Sequence, residues 1–219
     1  RKELAGSGAL GDIGAHIIDT AQFITGQHLT QVSGLTETFV TQRPLAEASA
    51  GLSAESTGAA SESGDGVEMG DVDVDDAALF IGRLSGGALA SFEASRFATG
   101  RKNALRIEVN GSAASLAFDF EAMNELWFHD HALPAEEAGF RRVLVTEAGH
   151  PYAGAWWPPG HGLGYEHTFT HEVKDFVEAI TSGVAPAPSF DDGLNVQRVL
   201  AAVERSAADQ SRMTAIEEV

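Results

Sequence analysis

Leu10, Ile13, Ile17, Ala21 and Ile24 recur three or four residues apart, and Gly26 follows where a left-handed C-cap is wanted, so the spacing predicts a helix over 9–25. The next stretch, LTQVSGLTETFV (29–40), is rich in Thr, Val and other strand formers and predicts a strand. From residue 71 onward the period drops to two. VDVDDAALFIGRL (72–84), the turn SGG (85–87) and ALASFEASRFA (88–98) predict a β-hairpin. NALRIEVNG (103–111) sets Leu105, Ile107 and Val109 on one face against Arg106 and Glu108 on the other, and SLAFDF, ELWFHD and RRVLVTEA continue the run. Beyond a Gly- and Pro-rich loop (149–164), Phe169, Val173, Phe176, Val177 and Ile180 form the apolar stripe of a helix near 165–182 that Gly183 ends. A last helix, capped by Asp191 or Asp192, carries Val196, Val199, Leu200 and Val203, and RMTAIEEV (212–219) reads as a closing edge strand. Short connections favour antiparallel pairing, and the alternation gives a sheet two unlike faces. The expected fold is α+β: an open, largely antiparallel sheet with helices packed on one face and the other face available for oligomerisation.

Residues 46–70, AEASAGLSAESTGAASESGDGVEMG, hold small and acidic side chains with almost nothing to bury, and read as a mobile insertion within a single domain over 1–219. A net charge of −18, from 32 acidic and 14 basic side chains, repels phosphate backbones and anionic lipid, which argues against nucleic acid and membranes as partners. Cysteine is absent, which removes disulfides, thiolate catalysis and cysteine metal sites, and fits a cytoplasmic setting. No apolar run approaches the ~20 residues that span a bilayer, and the opening RKELAGSG looks like sequence from within a longer protein.

Two constellations carry candidate chemistry. On the first helix Asp12 and His16 are one turn apart, ~40° on the wheel, at the flank of the apolar stripe. A carboxylate beside an imidazole suits proton transfer, with the acid orienting the base. The plainer account makes Asp12 a first-turn acid favoured by the helix dipole and His16 a border residue. The second constellation is GHGLGYEHTFTHE (160–172) with its preceding tryptophans. Glu166 projects toward the apolar side of the later helix, where it would join Tyr165 and His161 in a polar lining for a hydroxylated ligand, or serve as a cap. His167 and His171, opposite the stripe, are expected on a solvated face; a metal held by them with His161 or Glu166 is the weaker alternative, and no metal is expected. Trp156 and Trp157, stiffened by Pro158 and Pro159, offer faces for a sugar ring or simply pack their loop. No strand runs into a G-x-G-x-x-G, and GSGALG (6–11) has the wrong spacing for a phosphate cradle.

GSGALGDIGAHIIDTAQFITG, ASRFATGRKNALRIEVNGSAASLAFDF, WWPPGHGLGYEHTFTHEVKDFVEAI and PSFDDGLNVQRVLAAVERS together resemble the C-terminal domain of the glucose-fructose oxidoreductase, inositol dehydrogenase and rhizopine catabolism (Gfo/Idh/MocA) family, most sharply in the pattern G-x-L-x-D-x-G-x-H at residues 8–16. The resemblance implies a sugar or cyclic polyol as small-molecule partner and NAD or NADP as cofactor, bound mainly by an N-terminal Rossmann domain that this chain lacks. It implies Asp12 as the substrate-orienting acid and His16 as the acid/base that takes the hydroxyl proton while hydride leaves the same carbon. It also places the stretch from His161 to His167, with Tyr165 and Glu166, in the region that lines the sugar pocket, beside the Trp157 face offered for a sugar ring. The family's Glu-Lys-Pro lysine is not in this sequence, so the chain alone is expected to be inactive, one part of a dehydrogenase that associates as a homodimer or higher oligomer through its sheet. The alternative is a noncatalytic carbohydrate-binding or scaffold module built on the Trp156–His167 loop.

Overall fold

The computed structural model of the protein describes residues 1–45 and 68–216. Ten strands and four α-helices follow one another there, and every strand pair is antiparallel: α1 (Lys2–Ala5), α2 (Ala15–Thr25), β1 (Leu29–Glu37), β2 (Gln42–Pro44), β3 (Met69–Asp71), β4 (Ala77–Leu84), β5 (Leu89–Ser95), β6 (Arg106–Asn110), β7 (Ala114–Asp119), β8 (Glu125–Asp130), β9 (Arg141–Leu144), α3 (Tyr165–Ser182), α4 (Phe190–Ala208) and β10 (Thr214–Ala215). This is the α+β class that the alternation predicts. The strands do not form one sheet but three, ordered β10-β1-β4-β5, β2-β3 and β6-β7-β8-β9. The expected insertion at 46–70 falls outside the described residues over 46–67. Its last two residues, Met69 and Gly70, are strand rather than loop, paired with Pro44 and Arg43.

The chain divides into two compact units, one of Arg1–Ala15, Gln27–Phe97 and Arg198–Val219, the other of His16–Gly26 and Ala98–Gln197. In the first, alternation along β1, β4 and β5 turns Val32, Ala78, Phe80, Phe92 and Ala94 inward, and Val199 and Val203 of α4 are buried in the same unit. Phe80 stacks on Phe92 at 4.6 Å across the β4–β5 pair. Gly34 is required at its place in β1. A Cβ there would stand 3.0 Å from Val203 Cγ1 and 3.1 Å from Phe80 Cβ, and the Gly34 N–H donates to the buried Ser206 hydroxyl (3.0 Å). The opposite face of this sheet leaves Leu35, Leu79, Ile81 and Leu89 exposed.

The second unit is built differently. In β6 only Ile107 and Val109 are partly covered, as the alternation at 103–111 requires. Its long helix α3, however, leaves its apolar stripe outward: Phe169, Val173, Phe176, Val177 and Ile180 are each more than half exposed. The covered positions are His167, His171, Asp175 and Ala179, the i, i+4 row on the other side. Gly183, with φ 69°, ends α3 as its left-handed cap. α4 begins at Phe190, before the two aspartates expected to cap it. Ser189 takes that place: its N–H donates to Asp192 Oδ2 (2.7 Å) and its hydroxyl accepts from the Asp192 N–H (3.4 Å), a capping box with Asp192 as the returning acid. Among the described residues no helix is long and apolar enough to cross a membrane.

Candidate functional site

The helix predicted over 9–25 does not start as an α-helix. Leu10–Gly14 is a π-helical turn and only Ala15–Thr25 is α-helical, a widened turn of the kind often found at functional sites. Asp75 fixes its entry: Asp75 Oδ2 accepts from the Leu10 N–H (2.7 Å) and its carbonyl from the Ala9 N–H (2.9 Å). The buried row is Leu10, Gly14, Ile18, Ala21 and Gln22, while Ile13 and Ile17 are only partly covered and Ile24 is exposed. Gly14 belongs to that row because a Cβ on it would already touch Leu10 at 3.3 Å.

In the first unit Asp12 rides on this turn with its side chain exposed, and Arg96 Nη2 donates to Asp12 Oδ2 at 2.8 Å. Arg96 follows β5 and is anchored through its backbone N–H to the Asp76 carbonyl (2.9 Å). Sequence reasoning missed Arg96; its only signal was an arginine inside ASRFATG, with nothing to connect it to residue 12. In the second unit His16 opens α2 with an exposed ring, its carbonyl accepting from the Thr20 hydroxyl (2.7 Å). One turn on, burial pushes the Asp19 carboxyl above its ordinary range, the negative charge of Asp192 adds to the push, and His16 opposes it. Asp19 is the second residue not singled out from the sequence.

The loop 149–164 and the start of α3 form the other cluster, within the second unit. Trp156 Nε1 donates to His171 Nε2 (2.7 Å), and the His167 ring lies edge-on to Trp156 at 4.4 Å. The Gly164 N–H donates to His167 Nδ1 (3.0 Å) while the His167 N–H donates back to the Gly164 carbonyl (3.1 Å), so histidine performs the returning half of a capping box. Tyr152 stacks on His171 at 4.3 Å and donates its hydroxyl to Asp175 Oδ2 (2.6 Å). That bond, then partial burial and the Asp175 charge, raise the Tyr152 phenol above its ordinary value.

The expected solvated face for His167 and His171 is therefore overturned, since the His167 side chain is only 13% exposed and both rings accept N–H groups. These rings outcompete the aliphatic stripe because the tryptophan and tyrosine opposite offer both flat apolar area and N–H or O–H donors. Glu166 is the reverse case. Expected toward the apolar side, it is 79% exposed and lies 3.4 Å from His167 Nδ1. Tyr165, half-exposed, meets Phe120 and Phe169 edge-on at 6.0 and 5.1 Å. Trp157 is half-exposed beside Trp156, and the exposed His161 turns its Nδ1 to the Pro158 carbonyl at 3.0 Å. Trp157 and His167 thus meet around Trp156, whereas His161 and Tyr165 hold partners of their own. Among the described residues no group of three or more His, Asp or Glu is disposed to hold a metal ion.

The model of the GFO/IDH/MocA C-terminal domain matches residues 1–117, and the chain belongs to that family. Levoglucosan dehydrogenase of Pseudarthrobacter phenanthrenivorans is 38% identical over 212 residues, 96% of this chain and 52% of that enzyme. Among solved structures, an oxidoreductase domain protein from Kribbella flavida is 59% identical with a TM-score of 0.87, over 99% of this chain and 53% of that one. A levoglucosan dehydrogenase in complex with NADH and levoglucosan is 35% identical with a TM-score of 0.85, over 100% of this chain and 53% of its own. The chain thus spans about half the length of these relatives.

Proposed function

We propose that this chain is the substrate-side and oligomerisation domain of an NAD(P)-dependent dehydrogenase that acts on a hydroxyl of a sugar or cyclic polyol. The observation that carries this reading is the match to levoglucosan dehydrogenase over 96% of the chain, which includes the segment bearing Asp12 and His16. The residues present do not fit a nicotinamide cofactor: the sequence has no strand running into G-x-G-x-x-G, so the cofactor belongs to another domain and no step is assigned to it. What the chain supplies is the proton half of the reaction. His16, open to solvent, takes the proton of the reacting hydroxyl, and Asp12, steadied by Arg96, hydrogen-bonds and orients the sugar. Trp157 gives the ring an apolar face, and Tyr165, Glu166, His161 and His167 frame its hydroxyl groups.

The exposed apolar face of the sheet β10-β1-β4-β5 supports the oligomer. It carries a depression of 280 Å³ lined by Gln31, Ile81, Arg83, Leu89, Ser91 and Met213, and an open sheet face of this kind needs a cover. A second copy presenting the same face closes it with twofold symmetry.

The test is kinetic. The 219-residue polypeptide offered levoglucosan or inositol with NAD or NADP is expected to reduce neither cofactor. Fused behind the part of levoglucosan dehydrogenase that it does not match, it is expected to turn over a sugar. Reduction by the polypeptide alone, or none by a folded fusion with any sugar or polyol in a panel, overturns the proposal.

A further inference from the structure

Two histidines of α3 accept hydrogen bonds that only a neutral ring can accept. An indole N–H and a backbone N–H donate and never accept, so the nitrogens they reach, His171 Nε2 (2.7 Å from Trp156 Nε1) and His167 Nδ1 (3.0 Å from the Gly164 nitrogen), each present a lone pair and carry no proton. Both bonds are partly buried, and they join the loop 149–164 to the first two turns of α3. Protonation of either ring at that nitrogen sets two donors face to face and leaves the indole or the amide without its acceptor. His161, in the same loop, is the opposite case. Its Nδ1 faces the Pro158 carbonyl at 3.0 Å, a contact that suits a proton-bearing nitrogen and survives when the ring is charged.

We propose that His167 and His171 form an acid-sensitive clasp, which holds the Trp156–Trp157 elbow against α3 while both rings are neutral and releases it when they take up protons. The charged groups around the two rings differ. Glu166 Oε1 lies 3.4 Å from His167 Nδ1, placed to pair with the charged ring once the Gly164 N–H is released. His171 is faced by Tyr152, stacked at 4.3 Å, whose hydroxyl goes to Asp175 Oδ2; Asp175 Oδ1 in turn lies 3.5 Å from Lys174 Nζ, which also reaches Glu178 at 2.7 Å. Both oxygens of that carboxylate are thus engaged. The far end of the loop is tied by groups that do not titrate: Asn124 bonds Leu163 in both directions (2.9 and 2.8 Å), and the Gly160 N–H donates to Thr146 Oγ1 (3.0 Å). What loosens in acid is therefore the elbow and not the whole loop. The clasp stands on these bonds alone; its consequence for sugar, through Trp157, rests on the function given above.

Nuclear magnetic resonance of the 219-residue chain tests this between about pH 8 and about pH 5, the span over which imidazoles take up protons. Protection of the Trp156 indole N–H and the Gly164 amide against solvent exchange, corrected for the intrinsic pH dependence of exchange, is expected to fall about tenfold, the worth of one hydrogen bond, while the amides of the β4–β5 pair keep theirs. His167→Asn with His171→Gln sets an uncharged oxygen near each accepting position and is expected to abolish the fall. Unchanged protection in the parent, a fall that includes β4–β5, or a fall that persists in the folded double variant overturns the proposal. Where the double variant does not fold, the ring resonances of the parent decide: His167 is expected to titrate with the Gly164 amide and His171 with the Trp156 indole, and unequal midpoints within either pair overturn the clasp. None of these readings uses sugar turnover, so failure of the dehydrogenase reading leaves the clasp standing, and failure of the clasp leaves that reading untouched.

Discussion

His16 and Asp12 differ in how they are held, and that difference sets what their substitution does. His16 has an exposed ring on the first turn of α2, so His16→Ala removes the proposed base without opening a cavity. In the sugar-oxidising fusion it is expected to lower kcat by about 10²- to 10⁴-fold, the usual worth of a general base, with melting temperature unchanged. Arg96 acts through Asp12, to which it donates at 2.8 Å. Arg96→Ala is expected to raise KM more than it lowers kcat, because the carboxylate stays but loses its fixed orientation, and Arg96→Lys is expected to recover only part of the loss, since an ammonium lacks the planar fork of a guanidinium. Steady-state kinetics of the two variants reads the split. Asp19 bears on stability instead. Its carboxyl titrates above the ordinary 3.8 because of burial and Asp192, so in the window just above pH 3.8 the folded chain keeps a proton that the unfolded chain has released. Stability therefore falls as pH rises through that window, and the ionised form remains a net cost at neutral pH. Asp19→Asn is expected to melt higher than the parent at pH 7, with the gap closing below pH 3.8, as thermal unfolding across a pH series would record.

At the scale of elements, the loop 149–164 is held to α3 by ring contacts and two N–H donors, and its hold can be loosened one bond at a time. Tyr152 sits at φ 64°, a left-handed conformation that a tyrosine adopts only when its surroundings fix it; here they are the stack on His171 and the hydrogen bond to Asp175. Trp156→Phe keeps the edge contact with His167 but removes the N–H that His171 accepts. It is expected to cost about 1 kcal/mol of stability by denaturant titration and to raise KM for sugar if the loop carries Trp157 to the substrate. The elements themselves were legible in the sequence wherever a pattern was dense: the 72–98 hairpin, the alternation at 103–111, and the glycine stops at Gly26 and Gly183, whose φ values of 64° and 69° match the expected left-handed caps. The facing of α3 was not legible. Hydrophobic periodicity finds the apolar side of a helix but not what lies opposite it, and here a Trp and a Tyr more than 10 residues away in sequence drew His167 and His171 inward. The π-turn at Leu10–Gly14 was equally hidden, and its entry is held by Asp75, a residue 65 positions from Leu10. So was Arg96, whose pairing with Asp12 exists only once β5 ends beside that turn.

At the scale of the whole molecule, the exposed apolar face of the sheet β10-β1-β4-β5 is where the proposed association is tested. The sheet face was expected from alternation alone, since β1, β4 and β5 bury one side and leave Leu35, Leu79, Ile81 and Leu89 exposed on the other. The core side of each strand is buried, so charge placed on the outward side perturbs association and not folding. Ile81 and Leu89 both line the depression on that face, and both strands keep their ladder bonds whatever side chain points outward. Ile81→Asp with Leu89→Asp is therefore expected to convert a dimer of the 219-residue chain into a monomer in sedimentation equilibrium, with circular dichroism unchanged. A net charge of −18 adds a second handle. Two copies of so acidic a chain repel at long range, an effect screened over about 8 Å at physiological salt, so dimerisation through an apolar face tightens as salt rises from low values to that range. Weakening with salt over the same range would mean that ion pairs, not the apolar face, hold the copies together.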